Sequence, residues 1–196
     1  MKYITYFNTL VLKKAVYLVA FILSFSTLQG QDFTANELLN RSITYHDPDG
    51  LWKNFNGSFN VSMESPNRPF RKSKIELNFK DSFFRLTVDS DGNTSVSQLE
   101  DKECLLSYNG ASDFSEEIAD KNRLSCESAK MYRDYYTYLY GLPMKLKDSG
   151  TILNPLVEEK VVDNVSYWKL KVTYEPETVG DTWCFYFDKN SYQLKR

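Results

Sequence analysis

The chain has 196 residues, 42% of them hydrophobic and 26% charged, a globular composition at the length of a single domain. Its formal charge of −2 becomes about −5 once Lys2, Lys13 and Lys14 at its start are set aside, which argues against nucleic acid or anionic lipid headgroups as electrostatic partners. The 14 Tyr and 13 Phe lean towards β-structure, because aromatic side chains suit a half-buried pleated surface.

Lys13-Lys14 precede the apolar stretch Ala15 to Phe25, which gives way to small and polar residues up to Gly30-Gln31. A positive start, a short apolar core and a polar exit form the pattern of a secretory signal peptide. Residues 1–30 are therefore expected to be a leader, and 31–196 a single exported domain. The apolar stretch is short beside the roughly 20 residues that a spanning helix needs. No Cys stands near the expected cleavage point, so no lipid anchor of the bacterial lipoprotein kind is expected. The predicted product is a soluble periplasmic or secreted protein with no stable membrane insertion.

Thr34 and Glu37 are spaced as a capping box, and Leu38, Leu39 and Ile43 follow at helical spacing, predicting a helix that ends at Asp47-Pro48-Asp49-Gly50. From Leu51 the period becomes two. Phe59, Val61 and Met63 alternate with polar residues, as do Ile75, Leu77 and Phe79, and then Phe84, Leu86 and Val88. Such alternation predicts antiparallel strands with one face buried. Asp91-Gly92 predicts a type I′ hairpin turn, followed by strands over Val96–Leu99 and Cys104–Tyr108. Residues 112–117 look like a helix start. Glu127 to Tyr140 reads as a second helix, ended by Gly141 and Pro143, with Met131, Tyr135, Tyr138 and Leu142 on one face. Strands resume at about 156–162, 166–174 and 182–188. A turn at Asp188–Ser191 leads into a further strand from Tyr192.

This order is α+β. The arrangement expected is one antiparallel sheet, curled into an open half-barrel, with helices packed on its concave face. Of the three cysteines, Cys104 and Cys126 bracket the helical excursion and are the favoured disulfide, since it would tie that excursion to the sheet. Cys184 alternates out of phase with Trp183, Phe185 and Phe187, so it is expected free on the other face.

Little here suggests catalysis. The single His46 stands beside Asp47, but no nucleophile signature accompanies it, and a helix end with aspartate-bonded amides explains the pair. Asp89, Asp91, Asn93 and Glu100 match some positions of a calcium loop. The required glycine is replaced by Thr94, however, and the flanks alternate like strands. With no Cys-x-x-Cys and one His, zinc is not expected, and no metal or cofactor is predicted.

Tyr45-His46-Asp47-Pro48-Asp49-Gly50, Trp52, Phe55-Asn56-Gly57, Asp113-Phe114-Ser115 and above all Met131-Tyr132-Arg133-Asp134-Tyr135-Tyr136-Thr137-Tyr138-Leu139-Tyr140-Gly141-Leu142-Pro143-Met144-Lys145-Leu146 resemble an uncharacterised domain-of-unknown-function family of exported Gram-negative envelope proteins. The resemblance covers residues 33–196. It implies an architecture similar to the lipoprotein-carrier (LolA/LolB-like) fold, an unclosed β-barrel whose helices plug an apolar cavity. It also implies further strands beyond Arg196 and no family role for Cys184. No activity or catalytic residue comes with it.

The expectation is a non-enzymatic envelope protein that binds a hydrophobic or lipid-like ligand between sheet and helices. The predicted pocket lining is Phe59, Val61, Leu77, Phe84, Leu86, Tyr135, Tyr138, Leu142, Trp168 and Trp183. The alternatives are a hydrolase using His46 and a structural or partner-binding module acting through an exposed edge strand.

Overall fold

The computed structural model describes residues 33–175 and 181–196, so the leader expected at 1–30 lies outside the described residues. Helix α1 (Ala35–His46) opens on the capping box: Thr34 Oγ1 accepts from the Glu37 amide at 3.2 Å, and the Thr34 amide donates to Glu37 Oε2 at 2.9 Å. Two otherwise orphaned donors are satisfied at once, which is why this start was legible.

Five strands follow as an uninterrupted antiparallel meander: β1 (Asn56–Ser65), β2 (Arg68–Asn78), β3 (Phe83–Ser90), β4 (Asn93–Glu100) and β5 (Glu103–Tyr108). The β3–β4 connection has positive φ at both Asp91 and Gly92 (51° and 72°), the type I′ geometry whose twist matches that of the strands. The cross-strand register organises the inward side chains into rows. One row is Gly57–Leu77–Phe84–Leu99–Cys104, and the next is Phe59–Ile75–Leu86–Ser97–Leu106. Beyond these lie Val61–Ser73–Val88–Ser95–Tyr108 and, last, Met63–Arg71–Ser90–Asn93. Polar side chains increase from row to row: none in the first, Ser97 in the second, Ser73 and Ser95 in the third, and all but Met63 in the fourth. Ile75, Leu77, Phe84, Leu86 and Leu99 are buried, each contributing roughly 1.5–3 kcal/mol of burial.

Helix α2 (Glu116–Asn122) is capped by Ser115, and α3 (Cys126–Tyr140) by Ser125. The expected Cys104–Cys126 disulfide is formed, with a Cα–Cα distance of 5.9 Å. It holds the first residue of α3 against β5. From there α3 crosses the meander towards β1, with Ala129 and Tyr136 buried in the sheet core and the Tyr140 ring tilted against Phe59 at 4.3 Å between ring centroids.

The remaining strands do not join this sheet. β6 (Thr151–Leu153), β7 (Glu158–Val162), β8 (Val165–Tyr174) and β9 (Trp183–Asp188) form a second antiparallel sheet around β8. β6 and β7 pair with successive parts of β8, and β9 pairs with Tyr167–Val172 of the same strand. Leu170, Val172, Phe185 and Phe187 form its core with Ala35, Leu38 and Leu39 of α1 and with Leu146. The single sheet expected from the sequence is thus corrected: among the described residues the strands divide into two sheets, each with its own core and its own helix. Alternation shows which face of a strand is buried but does not name its partner. Short β6 was not anticipated. Cys184 is exposed and free, as its phase implied.

Candidate functional site

Beside the small inward side chains of Ser95 and Ser97, a groove of about 410 Å³ lies between the meander and the helices. Its volume is typical of a small-molecule pocket. Leu86, Val88, Met63 and Tyr132 give it an apolar surface, while Ser90, Ser95 and Ser97 bring hydroxyl groups. Arg68 and Arg71 from β2, with Lys121 from the last turn of α2 and Arg123 from its C-cap, also line it, and among the described residues no acidic side chain does.

Arg71 occupies an inward position of β2, unlike its exposed neighbours Lys72 and Lys74. Its Nε donates to Ser73 Oγ at 3.0 Å, and its guanidinium lies over the Tyr132 ring, 5.9 Å from the centroid. Arg123 has a left-handed backbone (φ 53°) as the C-cap of α2, so the turn into α3 is tight. Tyr136, deeper under the helix, has its phenol pushed up chiefly by burial, which keeps it neutral at physiological pH.

The ten residues expected to line one pocket are not brought together. Leu86 borders the groove; Leu77 and Phe84 are in the solid part of the first core, with Phe59 and Val61 packed at its edge. Leu142 and Trp168 belong to the second core. Tyr138 meets Tyr174 through their hydroxyls, and burial is the first cause raising both phenols. Tyr135 and Trp183 are 55% and 45% exposed and line neither core. The buried face of α3 runs through Ala129, Tyr132 and Tyr136 rather than Met131, Tyr135 and Tyr138. Five tyrosines within nine residues erase the polar–apolar contrast that would have identified it. The signal for the groove was present but unread: inward serines on β4 and an inward arginine on β2.

His46 and Asp47 serve the fold. Asp47 accepts from the Leu51 and Trp52 amides at 2.7 and 3.0 Å, while His46 Nε2 accepts from the Leu194 amide at 3.0 Å. That bond needs a neutral imidazole, and burial followed by nearby Lys195 depresses the His46 pKa accordingly. Trp52, so fixed, packs against Phe55 and Phe79 (centroids 5.4 and 5.1 Å) and lines a second cleft of about 490 Å³ with Met144 and Thr137. Among the described residues, no three His, Cys, Asp or Glu side chains are grouped as a metal set. No described helix is long and apolar enough to cross a membrane.

No curated protein and no solved structure matches the chain. A family model does match, over residues 13–196, that of a family of unknown function, DUF6503. The match takes in both sheets, the groove and the Trp52 cleft. The chain belongs to the DUF6503 family.

Proposed function

We propose that this protein is an exported, non-enzymatic carrier that holds a hydrophobic or lipid-like ligand in the groove between the five-stranded meander and the α2–α3 turn. The observation that supports this reading is the groove itself: the helices leave about 410 Å³ open on the sheet's inward face, beside Met63, Leu86, Val88 and Tyr132. A filled face would have made the aromatic helix mere core. In this reading the meander is the curled wall of a lipoprotein-carrier-like half-barrel, and α3 is the helix lying in it. Residues 1–30 are the leader that delivers the protein to the envelope.

The test is native mass spectrometry of protein expressed with its leader and purified from a Gram-negative periplasm, followed by solvent extraction. A co-purifying amphiphile is expected with the natural sequence and not with Ser97→Phe, which fills the second row. Protein that is consistently ligand-free and takes up no neutral hydrophobic dye would remove the carrier reading.

A further inference from the structure

The cations of the groove go beyond what an apolar ligand requires. Arg68 and Arg71 come from β2, while Lys121 and Arg123 come from the C-terminal end of α2, about 50 residues later, and the four converge on one opening. None of them forms an ion pair among the described residues, although seven such pairs occur elsewhere on the molecule. The chain as a whole has more acids than bases, so an unpaired basic cluster is not a by-product of composition. Overall charge argued against anionic partners, but it averages over a surface on which this face is the exception.

Arg71 sharpens the point. It is half-buried at an inward strand position, and among the described residues its guanidinium makes one hydrogen bond, to Ser73. A partly desolvated guanidinium without a counter-charge is unfavourable, and a bound anion offsets that penalty. Arg71 and Arg123 lie at the same opening as the apolar strip formed by Leu86 and Val88. Resting on the carrier reading, we infer that the ligand is a single-chain amphiphile with an anionic head, a carboxylate or a phosphate ester. Its head is held by Arg71 and Arg123, and its chain lies along Val88 and Leu86.

The experiment loads the mature protein with Nile red, a neutral dye, and displaces it with dodecanoate, dodecyl phosphate, dodecanol, acetate or inorganic phosphate below their micellar concentrations. Dodecanoate or dodecyl phosphate should displace the dye at about tenfold lower concentration than dodecanol, and the two small anions should not compete. Arg71→Gln with Arg123→Gln should abolish that preference, so that the anionic chains displace the dye no better than dodecanol does from the same variant, while Arg71→Lys with Arg123→Lys retains it. Arg123→Gln alone, at an exposed site, serves if the double variant loses its native unfolding midpoint. Dye binding with equal displacement by dodecanol and both anionic chains overturns the anionic head and leaves the carrier standing. Competition by acetate or phosphate overturns the amphiphile. A protein that binds neither dye nor any chain overturns the carrier reading itself.

Discussion

Replacing Cys104 and Cys126 by alanine probes the roof of the groove directly. The bridge joins β5 to the first residue of α3 and closes a loop between cysteines 22 residues apart. In the chain-entropy model a loop of that length restricts the unfolded chain by about 11 cal/mol/K, or about 3.4 kcal/mol at room temperature. Against the roughly 5–15 kcal/mol that holds a domain together, this is a large share. Equilibrium urea unfolding of the natural protein and of Cys104→Ala/Cys126→Ala measures it. The midpoint should fall, and the slope m should rise because the uncrosslinked unfolded chain exposes more surface. Exposed Cys184 should be alkylated in both proteins without reductant, so that the Cys104–Cys126 bridge stays intact and no new pairing intrudes. A loss below about 1 kcal/mol would refute the reasoning. It would mean that packing of Ala129 and Tyr136 already fixes α3 in place and that the loop is restrained in the unfolded state.

Gly141→Ala should destabilise by about 2–3 kcal/mol, since an added Cβ overlaps the Trp52 ring and the Thr137 carbonyl; thermal unfolding reads this, and tolerance of alanine would show that Trp52 can move. Ser42→Ala should stabilise by about 1 kcal/mol in urea unfolding, because the Ser42 hydroxyl is buried in α1 with no hydrogen-bond partner among the described residues. The folded pKa of His46 is depressed below 6.5, so the unfolded chain takes up the proton first and stability falls as pH drops below 6.5. The carboxylates held low, Glu37 among them, add their own losses only as pH falls below 4.5. Melting temperatures between these limits should therefore decline in the natural protein and run flatter in His46→Gln, and identical slopes would show that the Leu194 contact carries no linkage.

What the sequence disclosed and what it hid divide along the range of the interactions. The capping box of α1, the I′ turn at Asp91-Gly92 and the alternation of β1–β5 are local patterns, and each is where its residues placed it. The Cys104–Cys126 bridge was legible because the two cysteines bracket the helical excursion, and free Cys184 because it alternates out of phase with its strand's aromatic residues. The division into two sheets was not legible, since a strand's pattern fixes its face and leaves its neighbour open. Nor was the acceptor role of His46, which depends on Leu194, 148 residues away. The groove belongs to a middle class. Ser95 and Ser97 look like ordinary strand polar residues until the register shows that they face inward between Val88 and Leu86 on one side and Tyr108 and Leu106 on the other.

The two cores also differ in how they draw on the chain. The meander and the helices that cover it come from one unbroken stretch, residues 56–140. The second core joins α1, near the start, to strands from 151 onward, through contacts such as Arg41 with Tyr192 and His46 with Leu194. The first core is therefore an insert between two portions of the second. As the chain is synthesised, Leu38 and Leu39 are made early and wait with their face uncovered until the last strands arrive, whereas the meander can pair as it emerges. Pulled from its two ends, the molecule would come apart at the α1 seam first and leave the disulfide-tied insert, groove included, still folded.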